Sequence, residues 1–359
     1  MTDGPIIALD AMGGDFAPKM VLEGADLALV RHPSVRFLLF GDSAKLQPVL
    51  DALPRLRLAS TLRHTPDAVA ASDKPAQTLR NGRQTSMWLA VEAVQAGEAS
   101  AVVSAGNTGA LMAISRFLLR MLEGIERPAL ASIWPNMRGE SVVLDLGANV
   151  ECDAKDLFDF AVMGAAFARI TMGLSRPRLG LLNVGTEDMK GSNALKLAGQ
   201  KLKAADLPFE FVGFVEGSDI SLGTADVVVT DGFTGNIALK TAEGTAKMII
   251  DMLRNAMSAS WLSKLGYLMA RGAFRVLAGR LDPRVHNGGV FLGLNGLAVK
   301  SHGGTDALGF AAAIDVAVDL ARGQLVQKIT QDLSNAQSGP DDALDALAEN
   351  ADEDEVETS

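Results

Sequence analysis

The chain has 359 residues, nearly half of them hydrophobic but only 5% aromatic, with a formal charge of −10 and a single cysteine. One Cys excludes an internal disulfide framework and a cysteine-rich zinc site. No apolar run approaches the roughly 18 residues of a spanning helix, and the N-terminus, MTDGPIIALDAMGGD, lacks the basic region and long apolar stretch of a secretory signal, so a cytoplasmic location is expected.

In chain order, short β-rich runs alternate with longer helical patterns. That alternation predicts a three-layer α/β/α fold around a mostly parallel sheet. Strands are expected at IIALD, FLLFGD, AVVSAG, LASIW, VVLDLG, LGLLNVG, FEFVGFV, DVVVTDG and GLAVKSHG, with helices at 20–31, 84–96, 110–122, 158–172 and 237–257. No repeat and no linker interrupts them, so residues 1–334 read as one catalytic body. Residues 335–359 read as a disordered acidic tail. The stretch 337–359 holds nine Asp or Glu and no Lys or Arg. The rest of the chain is therefore close to neutral, which gives little electrostatic support to nucleic-acid binding.

Six of these strands leave through small polar residues: LDAMGGD, SAGNTGA, LDLGANVE, LNVGTEDMKG, TDGFTGN and SHGGTD. Ligands of open α/β sheets bind beyond the carboxyl ends of the strands. Gly permits close backbone approach there, and helix N-termini offer free N–H groups to anions. A strand-to-helix loop uses Gly and capping residues whether or not anything binds. Six together point to a phosphate or carboxylate.

Familiar nucleotide and hydrolase fingerprints are absent: no G-x-x-x-x-G-K-[ST], no G-x-G-x-x-G after the first strand and no G-x-S-x-G. Cys152 is flanked by carboxylates, which raise a thiol's pKa, and reads as an incidental thiol. The four His are too scattered for a metal site, and none is expected. His302, in KSHGGTD, could donate to an oxyanion, supply a proton, or merely cap its own loop. Lys190 could neutralise an anion or pair with Glu187 and Asp188. Asp231 reads as a turn former before Gly232, and Asn236 as the N-cap of the helix that follows. Neutral donors outnumber bases, which suits steadying charge more than abstracting a difficult proton.

Taken in order, IALDAMGGDFAP, PAQTLRNGRQTSM, SAGNTGA, LDLGAN, LLNVGTEDMKG, VVTDGFTGNIALK and LAVKSHGGTD resemble the PlsX-type phosphate acyltransferases, or acyl-ACP:phosphate transacylases. The resemblance spans residues 6 to about 325. Ser192 and Gly304 depart from the expected pattern, and the acidic tail is not a hallmark of the family. The resemblance implies a fold like that of isocitrate and isopropylmalate dehydrogenases and phosphotransacetylases, a homodimer, and no cofactor. It implies conversion of acyl-ACP and inorganic phosphate to acyl phosphate and free ACP, in bacterial phospholipid synthesis. On that footing Gly13, Gly14, Asn107, Thr108 and Gly109 contact phosphate, with Lys190 balancing charge. Asn149 and Gly235 join the phosphate and thioester site, and Asp231, Asn236 and His302 orient the thioester and help the thiolate leave.

The segment WLSKLGYLMARGAFRVLAGRLD (261–282), within the amphipathic stretch 248–282, puts apolar residues on helical spacing among basic ones. Such a helix packs on the core or a partner subunit, or meets a membrane interface or an acidic protein. The family's peripheral association with the inner face of the cell membrane and its acidic carrier favour the latter. The expected contacts are Trp261, Leu262, Lys264, Leu265, Leu268, Met269, Arg271 and Arg275, on a helical hairpin bent near Gly272. Three other readings remain at this point: an NAD-dependent decarboxylating dehydrogenase, phosphotransacetylase-like chemistry on acyl-CoA, and a non-catalytic membrane scaffold.

Overall fold

In the computed structural model, residues 4–280, 282, 284 and 287–337 are described. The expected acidic tail lies, from residue 338 on, outside them. The strands are β1 (Ile6–Asp10), β2 (Arg36–Gly41), β3 (Ser60–His64), β4 (Ala101–Ser104), β5 (Ala129–Asn136), β6 (Gly139–Leu144), β7 (Arg178–Leu182), β8 (Glu210–Val215), β9 (Val227–Val229), β10 (Gly289–Leu292) and β11 (Leu297–Lys300). The helices begin with α1 (Lys19–Arg31), α2 (Ser43–Asp51), α3 (Pro54–Ala59), α4 (Pro75–Asn81), α5 (Ser86–Gln95), α6 (Thr108–Leu119) and α7 (Ala154–Thr171). They continue with α8 (Asn193–Ala204), α9 (Gly217–Leu222), α10 (Gly232–Ser258), α11 (Trp261–Arg280), α12 (Ala307–Arg322) and α13 (Leu325–Gln337).

All eleven strands join one sheet in the order β3-β2-β1-β4-β11-β10-β5-β6-β9-β7-β8. Alternation along each strand sends side chains to opposite faces. Ile7, Leu9, Val103, Val142 and Leu144 enter a core shared with helices such as α1, α7 and α12, whereas Ala8 and Val102 meet α5 and α6 on the other face. Val143 and Val228 lie on that second face beside Ile220 of α9 and Leu239 of α10. Helices thus cover both faces, as the sequence pattern predicts.

The strand directions add something the pattern does not contain. Strands β3, β2, β1, β4 and β11 are mutually parallel. Then β10 runs against both β11 and β5, β5 runs against β6, and β6, β9, β7 and β8 are parallel again. The net result is a reversal. Strands β1, β4 and β11 end at one end of the sheet, and β6, β9 and β7 end at the other. The six polar loops therefore form two groups.

Two helices link these ends. Helix α6 starts at Asn107 after β4 and finishes beside the far end of β10, where Leu122 N–H donates to Gly293 O at 2.9 Å. Its 12 residues span about 18 Å. Helix α10 runs the other way and begins earlier than expected. Its N-cap is Asp231, not Asn236: the Asp231 carboxylate accepts from Thr234 N–H and from its hydroxyl, both at 2.8 Å. The hairpin also differs from expectation, because α11 runs through Gly272 unbroken and the bend falls between α10 and α11, at residues 259–260.

The start of α10 packs backbone to backbone on the exit of β6. A Cβ on Gly235 would sit 1.9 Å from Asp145 O, and that carbonyl cannot yield. Gly235→Ala should therefore lower stability by about 3 kcal/mol through overpacking, whereas Gly244→Ala, in open space on the same helix, should add about 1 kcal/mol. Chemical denaturation of the two variants tests the contrast.

Candidate functional site

The first loop group is built on Asp10. Its carboxylate is buried and accepts from Ser86 Oγ at 2.6 Å, Ser104 Oγ at 2.7 Å and Met12 N–H at 3.3 Å. One side chain thereby ties the exit of β1 to the start of α5 and the end of β4. Burial pushes the Asp10 pKa up, against these hydrogen bonds. The backbone here closes tightly: a Cβ at Gly13 would meet Asp10 Oδ2 at 2.4 Å and Gly106 N at 2.7 Å.

Asn107 N-caps α6, its Oδ1 accepting from Ala110 N–H at 3.0 Å, and its Nδ2 donates to Ala71 O and Asp73 O, both at 3.0 Å. The Asn107 side chain is thus committed to structure. What the helix offers a ligand are the first N–H groups, on Thr108 and Gly109, which have no intrahelical acceptor. The β11 exit joins the same group: Ser301 N–H donates to Ser104 O at 2.9 Å, and Asp15 N–H donates to Gly303 O at 2.9 Å.

Two titratable groups of β11 and its exit face this region. Lys300, half-buried, donates to the Ser301 carbonyl. Burial brings its pKa down to about 8, opposed by the charges of Asp10 and Asp15. Sequence reasoning missed Lys300. Its only signal is a lysine closing an otherwise apolar strand, LAVK. His302 keeps part of its surface exposed but is crowded by protein, which lowers its pKa; Glu243 opposes, while Lys300 and Lys240 add to the effect. Its imidazole is neutral at pH 7 and can donate or accept, not supply a charge. Lys240 and Glu243 belong to α10, which carries them from the opposite end of the sheet.

The second group is built on Asp145 in the same manner. Its buried carboxylate accepts from Leu130, Gly147, Ala148 and Asn149 N–H groups at 2.9, 3.2, 3.0 and 2.7 Å, and from Asn149 Nδ2 at 2.9 Å. Burial again raises its pKa against those bonds. Asn149 also donates to Pro128 O at 2.7 Å and accepts from Gly232 N–H at 2.8 Å, which bolts the β6 exit to α10. Asn236 is exposed on the second turn of α10 beside Gly147. Cys152 is pushed up to about 12, by burial first and then by Asp145 and Asp156, so it carries no thiolate at neutral pH. Lys190, at the β7 exit, pairs with Glu187 at 2.8 Å on the surface.

The structure therefore brings together Gly13, Gly14, Asn107, Thr108, Gly109 and His302, and separately Asn149, Asp231, Gly235 and Asn236 with Lys190 on the neighbouring β7 loop. Gly235 is buried in packing. No group of His, Cys, Asp and Glu among the described residues is arranged to hold a metal.

Two adjoining depressions lie on the α6 face of the sheet. One, about 650 Å³, is lined by Arg116, Glu126, Arg127, Ala148, Asn149 and Val150. The other, about 510 Å³, is mostly apolar and shares Arg116, Ala148 and Asn149 with the first. The hairpin leaves large apolar side chains in solvent: Trp261, Leu262, Leu265, Leu268 and Met269 on α11, with Met248, Ile249 and Met252 on α10. Lys264 and Arg271 are exposed among them, and the Arg275 side chain lies outside the described ones.

Comparison with known proteins sets this geometry in a family. The model of the family described as "Fatty acid synthesis protein" matches residues 6–328. A phosphate acyltransferase of Parvibaculum lavamentivorans is 61% identical over 93% of this chain and 92% of its own. One of Rhodospirillum centenum is 56% identical over 97% of each. Among solved structures, a phosphotransacetylase from Streptococcus pyogenes shares the fold at 16% identity, with a TM-score of 0.58 over 90% of this chain and 95% of that one. With the match running from the first strand to the last helix, the chain belongs to the fatty acid synthesis protein family.

Proposed function

We propose that this chain transfers an acyl group from the thioester of an acyl carrier protein to inorganic phosphate, as a step of phospholipid synthesis. The observation that carries the reading is the likeness, over nearly the whole chain, to proteins named phosphate acyltransferase. In the reaction a phosphate oxygen bonds to the acyl carbon, the C–S bond breaks, and the thiolate takes a proton from solvent. Phosphate is ionised at neutral pH and needs positioning more than a base. The N–H groups of Thr108 and Gly109, the backbone at Gly13 and Gly14, and the Lys300 ammonium suit that task. Neutral His302 suits donation to the developing oxyanion. An acyl-CoA donor is the second reading, favoured by the fold shared with phosphotransacetylases.

We further infer a homodimer in the cytoplasm whose α10–α11 hairpin meets the membrane surface or the acidic carrier. The support is exposed apolar surface interleaved with Lys264 and Arg271. Among the described residues no helix is long and apolar enough to cross a membrane.

Purified protein given acyl-ACP and phosphate should yield phosphate-dependent hydroxamate on trapping with hydroxylamine, together with free carrier thiol. Acyl-CoA in a parallel reaction identifies the donor, and no product from either would defeat the reading. Because Lys300 is a cation below about 8 and neutral above it, the KM for phosphate should climb as pH passes that value, by up to about tenfold per unit. Lys300→Arg should abolish the climb; a KM flat across that range in the unaltered chain excludes Lys300 from phosphate binding. Replacing Leu265 and Leu268 by Glu should release the protein from anionic vesicles without changing its circular dichroism, and undiminished flotation with vesicles would remove the hairpin from membrane contact.

A further inference from the structure

The thioester substrate of the proposed transfer has a long apolar chain, and none of the loop residues assigned so far provides a place for it. The apolar depression on the α6 face does. On α6, Leu111, Ile114, Leu118 and Leu119 point into the core, whereas Met112, Ala113, Arg116 and Phe117 form the opposite stripe, at i, i+1, i+4 and i+5. That stripe makes one wall of the 510 Å³ groove, and Leu79 from α4 and Pro128 before β5 complete it. Phe117 is 57% exposed, a large aromatic left in water, yet its ring is steadied by Trp88 at a centroid distance of 5.8 Å. Apolar side chains lining a trough favour an apolar ligand over water.

The chemistry changes at the groove's mouth. Arg116 lines both the groove and the 650 Å³ chamber, and Arg127 lines the chamber. Arg127 is 3.7 Å from Asp156, and Glu126 also lines the chamber. For Arg116 the described residues supply only the Glu126 carbonyl, at 3.4 Å. A guanidinium without a carboxylate partner thus stands where the apolar trough opens. Asn149, fixed by Asp145 and Pro128, lies at the same junction and joins it to the β6 loop group.

We propose that the groove between α4 and α6 is the acyl-chain subsite, with the carbonyl end toward the phosphate-binding N–H groups of Thr108 and Gly109 and the tail along Met112, Ala113 and Phe117. The inference rests on the transfer reading and extends it to the substrate's chain. The carrier-bound thioester and the acyl phosphate product bear the same chain on the same carbonyl carbon, so one groove serves both. The groove decides chain length.

The test is a comparison of kcat/KM for palmitoyl-ACP and butyryl-ACP in full-length variants. Ala113→Phe fills the trough, and Phe117→Ala removes part of its wall at an exposed position that the core does not need. Each should lower the palmitoyl-to-butyryl ratio, by about tenfold for Ala113→Phe. Inhibition by palmitoyl phosphate, measured against butyryl phosphate, separates product binding from carrier binding. If Ala113→Phe does not fold, Phe117→Ala alone decides. An active protein whose ratio is unchanged in the folded variants overturns the subsite. So does a variant that loses all chain lengths equally while its oligomer dissociates, which would make the groove a subunit contact. A parent chain inactive on every acyl length would instead defeat the transfer reading itself.

Discussion

Two buried carboxylates hold the working ends of this sheet. Asp10 and Asp145 each close a strand with the sequence Leu-Asp, and each turns inward to collect donors from its own exit loop and from neighbouring elements. A buried carboxylate left short of partners costs several kcal/mol. The loops are therefore shaped by the need to satisfy it. Gly13 and Gly147 follow because the backbone must bend back to bring N–H groups to the charge. Ser86 and Ser104 add two hydroxyl donors. Burial raises both pKa values even so, which shows desolvation outweighing the hydrogen bonds that oppose it. The same arrangement leaves other N–H groups, at the start of α6, facing outward and unspent.

Much of this was legible in the sequence. Strand-end motifs such as LDAMGGD and LDLGAN mark where apolar alternation stops, and each lies where the chain leaves the sheet. The roles inside the loops were harder to read, because a residue type does not reveal which of its atoms is already engaged. Asn107 reads as a ligand contact, but its amide is used on Ala71, Asp73 and Ala110. Asp231 caps α10 in the place expected of Asn236, since a carboxylate just before Gly232 reaches Thr234 first. Strand β3 escaped notice because STLRH is an edge strand with polar residues on it, and β10 because four residues give no period. The reversal escaped notice for another reason: it comes at β5 and β6, which pair antiparallel, and periodicity marks a strand without its direction. Gly272 reads as a bend, yet one glycine costs a helix only about 1 kcal/mol, and the chain turns just before Trp261 instead.

The ionisable groups that survive at the β1 end suit chemistry on an anion that arrives already charged. Lys300 keeps a cation in reach of the loops, held by Asp10 and Asp15 against its own desolvation. His302 is neutral, and the one thiol of the chain is inert. Nothing here resembles a nucleophile paired with a base. An enzyme that forms a covalent intermediate needs such a pair; one that lets phosphate attack directly needs only donors and a fixed positive charge.

The reversal of the sheet gives the two long helices on its second face their importance. Had all strands run one way, the six loops would meet in one crevice, and a ligand could be held by loops alone. With β6 and β9 ending opposite β1 and β4, any connection between the groups has to run along the face. Helix α6 descends from Asn107 to the neighbourhood of Asn149, and α10 rises from Asp231 until Lys240 and Glu243 influence His302. Over about 18 Å of α6, a small polar ligand finds only Arg116 to hold it, because the rest of the exposed stripe is Met112, Ala113 and Phe117. A chain of methylenes does, since each one moved from water to that stripe is favourable by up to about 0.8 kcal/mol. The distance that separates the polar loops is thus spanned by the kind of surface an acyl chain requires.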